Sequence, residues 1–600
     1  MNPSQREAVC FHDGALLLLA GPGSGKTFVV THRVQALIAS GVKASEILVI
    51  TFTRAAALEM QERFFKLVYP DEPAVSFGTF HAIFYSIIKH HHQYRKVVPI
   101  TDKEKLNMCK RALEETGHGE MLSDFEECIA LLGLIGSCKN NGNDPFEFDQ
   151  NMLEKAEFAR IFEAYNDLLR SFDRIDFDDM VNLCLELLKR EPEFAAVWQN
   201  KFKYILIDEF QDISANQYEL VKLLAYPQDN VFAVGDDDQS IYAFRGADVS
   251  LMRSFEKDFT GAQVRYLSVN YRSSGSIVDF AGRVIRSNKN RFSKNISAEK
   301  ETGDSVTITG AADMAAQNEM VLDVIKNAHM GGTQWSDIAI LLRTNRQAGV
   351  YAALLRQAGI PCDIKETKPP FSTQEIKDIC AYLALGAGDN SREKYSRIIN
   401  KPVRYIKRAA MPEETVDISQ LRSYYRGDTY MIKRIDELDK HIRRLKGMRP
   451  HLAVRYICTT VGYDRYVRES AGVKAFQDYL EQRDAFTALI KDLDTYRQVA
   501  EMLDDIRMSY TESHPQDTVV NGVRIQTYHS SKGLEYDTVI LPDVNEGKIP
   551  SKSAKTEADI EEERRMFYVA VTRAAAHLHI FYRKDGNLRP SRFVSPGRFF

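Results

Sequence analysis

Gly14-Ala-Leu-Leu-Leu-Leu-Ala20, running into Gly21-Pro-Gly-Ser-Gly-Lys26-Thr27, is the stretch on which the fold turns. Its first half is short, continuously apolar and stopped by glycine, which is the pattern of a buried strand. Its second half has the spacing G-x-x-x-x-G-K-T, and Phe28 to Ala39 continues as a helix. Strand, glycine-rich turn and helix in that order predict a phosphate-binding loop. Glycines let the backbone wrap close to phosphate oxygens, and the N–H groups at the helix start point at them. Lys26 is then the cation for the β- and γ-phosphates, and the Thr27 hydroxyl is a ligand for Mg²⁺.

Such a loop needs a carboxylate at the end of a second buried strand. Lys203-Tyr-Ile-Leu-Ile-Asp208-Glu209 supplies an apolar run ending in two acids. Asp208 is expected to hold Mg²⁺ and Glu209 to polarise the attacking water. A solvated acidic turn would not explain why the acids follow an apolar run. The pairing predicts ATP hydrolysis.

Bulk properties set the frame. A chain of 600 residues exceeds one hydrophobic core, so two to four domains are expected. Lys+Arg 79 against Asp+Glu 83 gives a net charge of -4, which neither supports nor excludes a nucleic-acid partner. The eight cysteines are scattered, with no C-x-x-C pair, and read as reduced thiols rather than zinc ligands. The apolar run near the N-terminus is too short to span a bilayer and has no basic flank. A cytoplasmic location without membrane contact is expected.

The order of motifs along nearly the whole chain resembles the UvrD/Rep/PcrA group of superfamily 1 helicases. Asn2-Pro-x-Gln5 resembles its Q motif, whose glutamine reads the adenine edge. Ala20, Gly21, Pro22, Gly23, Ser24, Gly25, Lys26 and Thr27 match its Walker A segment. Phe52-Thr53-Arg54 lies in a stretch similar to motif Ia, and Gly78-Thr-Phe-His81 is similar to the T-F-H motif; both imply single-stranded DNA contact. Asp176-Phe-Asp-Asp179 resembles the acidic signature that resumes the first motor domain. Val234 to Ala247 resembles motif III throughout. The resemblance implies that Gln239 senses the γ-phosphate, that Phe244 stacks on a base, and that Tyr242 and Arg245 lie beside DNA. Read alone, Tyr242, Phe244 and Arg245 are equally core aromatics beside a surface arginine.

Asn270-Tyr271-Arg272-Ser273 resembles motif IV, which puts Tyr271 on adenine and Arg272 on the γ-phosphate. Thr527 to Tyr536 resembles motif V, with Glu535 on the ribose and His529 and Lys532 near DNA. Glu562 to Ala574 resembles motif VI, and Arg573 is its arginine finger. Two departures stand out: Phe28 where relatives often have Arg after the Walker A threonine, and Phe244 where many have Trp.

The fold implied is α/β: two RecA-like P-loop motor domains, with parallel sheets flanked by helices, each carrying a mainly helical insert. The expected segments are 1–85 and 174–265 for the first motor domain, with 86–173 as its insert. Residues 266–370 and 521–600 form the second, with 371–520 as its insert. Helical spacing predicts helices over Lys103–Glu115 and Leu153–Arg170, and Ile338–Arg343 reads as a strand. Lys365 to Pro370 is the expected hinge. The basic pairs Lys433-Arg434 and Arg443-Arg444 read as a phosphate grip or as a solvated helix face. Relatives continue beyond the position of Phe600 into a variable tail, so the partners recruited through such tails are expected to be absent or made elsewhere.

The function so implied is an ATP-dependent single-stranded DNA translocase and 3′-to-5′ helicase acting in repair or replication. Its cofactors are ATP and Mg²⁺. Its partners are single-stranded DNA and single-strand/duplex junctions, with self-association or accessory proteins during unwinding. The alternative is a translocase that strips bound proteins and unwinds little.

Overall fold

A computed structural model describes residues 1–68, 74–119, 125–140, 142–150, 152–243, 246–301, 306–364, 371–471, 473–512 and 521–594. Contacts divide the chain into two compact units. One comprises Met1–Gly303 and Thr556–Thr572, the other Asp304–Lys555 and Arg573–Phe600.

The first unit is built on a six-stranded, wholly parallel sheet. Its spatial order is Ser76–Thr79, Ile47–Thr51, Tyr204–Ile207, Val231–Gly235, Leu16–Ala20, Gln263–Leu267. The apolar runs are fully buried because both faces are covered, and period-two alternation divides them between two cores. Leu17, Leu19, Leu48, Ile50, Ile205 and Ile207 face one core, while Leu16, Leu18, Val49, Leu206 and Phe232 face the other. Each such side chain contributes about 1.5–3 kcal/mol on burial. Phosphate loop and acidic pair both follow central strands, at the carboxyl end where parallel sheets bind ligands.

Helices Asp102–Glu115, Phe125–Asn140 and Lys155–Ser171 pack around their own core, which includes Cys109, Leu131, Ile135, Phe158 and Tyr165. Thr101 and Glu104 close the first of these with a reciprocal capping box. Two expected borders fall inside regular elements. The helix Phe80–His90 runs through 85/86, and the strand Gln263–Leu267 runs through 265/266. Arg265 and Tyr266 are in register with Leu18 and Leu19 of the central strand.

The second unit repeats the plan with a second six-stranded parallel sheet. Its order is Val306–Ala311, Ala574–Arg583, Tyr536–Leu541, Ile338–Leu342, Val523–Thr527, Cys362–Ile364. From Gln374–Ala387 to Tyr496–Glu512 the described chain is helical around a core that includes Ile379, Tyr382, Leu438 and Phe486. Arg443 is paired with Asp439 at 2.9 Å. The expected hinge, Lys365 to Pro370, lies outside the described residues. Among the described residues no helix is long and apolar enough to cross a membrane.

Candidate active site and nucleic-acid face

The phosphate loop joins Leu16–Ala20 to the helix Lys26–Ala39. Gly23 and Gly25 adopt left-handed φ of 66° and 83°, which side chains rarely tolerate. Gly23 is also held by close approach: a Cβ there would fall 2.7 Å from both Arg272 Cβ and Asn270 Oδ1. Ser24 Oγ donates to the Gly21 carbonyl at 2.7 Å, which tightens the turn. Lys26 Nζ donates to the carbonyls of Ala20 and Gly21 at 3.3 and 3.5 Å, so its ammonium lies across the mouth of the loop. The Thr27 side chain is half-buried at the start of the helix.

Two further segments are bonded to this loop. Gln5 caps the first helix through Asn2 and donates from Nε2 to the Ser24 carbonyl at 3.0 Å. Tyr271 N–H donates to the Gly23 carbonyl at 2.9 Å, and the Tyr271 hydroxyl accepts from Asn2 Nδ2 at 2.8 Å. The Tyr271 ring stays 37% exposed and available for stacking. Asn270 Oδ1 accepts the N–H groups of Arg272 and Ser273, each at 2.8 Å. Arg272 Nη1 donates to the Thr572 carbonyl at 3.3 Å. Gln5, Ala20–Thr27, Tyr271 and Arg272 thus form one contiguous group. Phe28, exposed at the turn, packs on His32.

The acid pair follows the strand Tyr204–Ile207, which Val231–Gly235 separates from the phosphate-loop strand. Asp208 is buried, and its N–H donates to the Ile50 carbonyl at 2.9 Å. Glu209 sits at φ 52°, ψ 44°, a left-handed pose costing a non-glycine residue about 1–3 kcal/mol. Such strain is retained where it aims a functional side chain. Gln239 is buried and donates to Asp236 Oδ2 at 2.8 Å. The hydroxyl of Thr27 and the carboxylate of Asp208 are hard oxygen donors of the kind Mg²⁺ selects.

Asp236, Asp237 and Asp238 are all buried, with carboxylate oxygens within 4.8 Å of one another. Their charge is met by side chains. Lys294 pairs with Asp236 and Asp237 and lies 3.0 Å from Asp238, while Arg291 clasps Asp238 at 2.9 and 2.7 Å. The aspartates hold the Lys294 pKa up against its own desolvation, and Lys294 holds Asp236 below the usual carboxylate range. Burial raises Asp237. The segment carrying both cations also packs on the phosphate loop, since a Cβ on Gly21 would meet Ile296 at 2.5 Å. It is pinned to the helix Glu557–Val571 as well: Arg564 donates to Asn288, and Asn288 Nδ2 donates to the Glu561 carbonyl at 3.0 Å. Nothing in the local sequence around Lys294 or Arg291 signals this role.

Tyr242 stacks on Phe52 at 4.9 Å and 20°. Thr53 and Arg54 beside them are exposed. His81 meets Phe177 edge-on at 5.3 Å, and burial lowers its pKa, which favours the neutral ring. Phe244 and Arg245 lie outside the described residues. In the second unit, the turn between Val523–Thr527 and Tyr536–Leu541 carries His529, Lys532 and Glu535, with Glu535 exposed. Arg573, 2% exposed, donates to the Leu534 carbonyl at 3.0 Å, and its own carbonyl accepts from Tyr536 N–H at 3.0 Å. Glu535 and Arg573 are therefore neighbours.

A phosphate loop backed by a strand-end acid pair, on one of two parallel sheets, defines a P-loop nucleoside triphosphatase of the two-sheet type. Residues 1–260 match the UvrD/REP helicase N-terminal domain, and residues 265–585 match the UvrD-like helicase C-terminal domain. The chain is 32% identical over 638 residues to the ATP-dependent DNA helicase PcrA of Bacillus subtilis (strain 168), covering 99% of this chain and 85% of that protein. It is 32% identical over 625 residues to the putative ATP-dependent DNA helicase YjcD of the same organism, covering 99% and 81%. It is 31% identical over 631 residues to PcrA of Staphylococcus aureus (strain MRSA252), covering 99% and 86%. The chain belongs to the UvrD-like helicase family. The two family models meet between 260 and 265, whereas contacts divide the chain after Gly303.

Proposed function

We propose that this helicase is an ATP-driven translocase on single-stranded DNA that unwinds duplex in the 3′-to-5′ direction, in the cytoplasm, during repair or replication. The observation that carries the reading is the short segment Asp236 to Tyr242. At one end Asp236 holds Gln239, and at the other Tyr242 stacks on Phe52. A rigid segment with one end at phosphates and the other at bases converts hydrolysis into a change of grip. Aromatic faces accept any base, which suits a motor without sequence preference.

In this reading Lys26 and the loop N–H groups cradle the β- and γ-phosphates of ATP, Tyr271 stacks on adenine, Gln5 reads its edge and Glu535 meets the ribose. Thr27 and Asp208 would hold Mg²⁺, which would offset charge on the phosphate oxygens. Glu209 orients and deprotonates the attacking water. Arg272 and Arg573 stabilise the transferring phosphoryl group, as the family pattern implies. Phe52, Thr53, Arg54, His81, Tyr242, Phe244, Arg245, His529 and Lys532 form the DNA track up to the junction.

The test is steady-state ATP hydrolysis with and without oligo-dT, followed by single-turnover unwinding of 3′-tailed and 5′-tailed duplexes. Stimulation by DNA that is lost in Lys26→Ala and Arg573→Ala, with unwinding of the 3′-tailed substrate only, is the expected result. DNA-independent hydrolysis sinks the motor reading. Stimulated hydrolysis without unwinding leaves a translocase that clears bound proteins.

A further inference from the structure

Gln211, two residues beyond the expected base, is fully buried and has no assigned role. Its amide is oriented unambiguously by what it touches. Oε1 accepts from Asp236 N–H at 2.9 Å, a group that only donates, and Nε2 donates to Oε2 of the Glu209 carboxylate. The Gln211 carbonyl accepts from Ser240 Oγ at 3.2 Å. Room for the side chain comes from Gly235. A Cβ there would fall 2.6 Å from Gln211 Oε1, so close approach requires this glycine and φ does not.

We propose that Gln211 is a positioning residue for hydrolysis: its amide fixes the Glu209 carboxylate and ties that pose to the segment carrying Gln239 and Tyr242. The inference rests on Glu209 being the general base. A left-handed backbone aims Glu209, but its side chain has further rotatable bonds that the backbone leaves unset. A donor on one carboxylate oxygen sets the plane of the group. That donor's other end is bonded to the strand end whose aspartate holds Gln239. A shift of that segment therefore pulls directly on the base.

Three variants and one double variant test this, in the full chain with saturating oligo-dT. Gln211→Glu keeps the acceptor for Asp236 N–H and replaces the donor with an oxygen against Glu209. It should lower kcat by about 10- to 100-fold while KM for ATP and oligo-dT affinity change by no more than about twofold. Gly235→Ala, which crowds the amide without altering it, should lower kcat in the same direction. Glu209→Gln should nearly abolish turnover, and adding Gln211→Glu to it should cost nothing more, because Gln211 acts through Glu209. Wild-type kcat in Gln211→Glu, equal losses in kcat and affinity, or additive losses in the double variant would each overturn the proposal. Substantial turnover in Glu209→Gln would instead remove the base assignment on which it rests, whatever the Gln211 variants do.

Discussion

Lys139 and Lys294 each bring a side chain only 3% exposed into a group of aspartates, and the two clusters are put to different uses. Lys139 lies on a helix of the insert and bonds Asp176 and Asp179 at 2.8 and 2.7 Å, with the Tyr165 hydroxyl donating to Asp176 at 3.3 Å. It fastens the helical insert to the helix Phe177–Arg190 of the sheet domain. Lys294 lies in an irregular segment and, with Arg291, pairs with the three aspartates that follow the strand Val231–Gly235. The physics is shared: a buried charge persists only where opposite charges and hydrogen bonds surround it. The consequence differs because one cluster braces a joint and the other braces the segment that holds Gln239.

Removing either ammonium gives the largest expected effects and separates the two roles. Lys294→Met should destabilise the fold by about 3–5 kcal/mol, since it leaves buried carboxylates without their partner. ATP turnover at temperatures where the variant remains folded should fall with it. Lys139→Met should cost a similar amount by thermal unfolding yet leave most of the basal hydrolysis measured without DNA in place. Equal losses of hydrolysis in both would break the distinction.

Smaller effects sharpen it. Gly23→Ala should retain the fold but lose nucleotide binding, because φ 66° and the contact with Asn270 both resist a methyl group; equilibrium nucleotide titration checks this. Tyr242→Ala, which removes the ring packed on Phe52 at the proposed DNA face, should weaken oligo-dT binding by up to about 1–3 kcal/mol, with KM for ATP little changed. Fluorescence anisotropy with labelled oligo-dT measures it.

The smallest effect is in pH. Lys139 holds Asp176 down to about 2, whereas burial and the charge of Asp176 push Asp179 up to about 7. A carboxyl group whose folded pKa is raised stabilises the native state while protonated. That contribution is complete below its unfolded value of 3.8 and is lost as pH rises through about 7. Thermal unfolding of wild type against Asp179→Asn should therefore converge at low pH and diverge towards neutrality, with wild type the less stable. Parallel curves would refute the shifted group.

Local sequence carried the skeleton of the proposed site. An apolar run closed by glycine, a lysine and threonine at fixed spacing, and two acids ending another apolar run are short-range patterns. Their geometry follows from one strand, one turn and one helix start. The two parallel sheets were expected from the motor-domain plan that the resemblance implied. Tertiary structure alone decided which side chains stabilise and aim those groups. Lys294 meets Asp236 across 58 residues, Tyr271 meets Asn2 across 269, and Asn288 meets Glu561 across 273. Gln211 lies inside the acidic motif, but its purpose depends on a glycine and an amide N–H from a neighbouring strand. Such pairings arise when helices, loops and strand ends distant in sequence pack together, and periodicity along one segment holds no record of its neighbour.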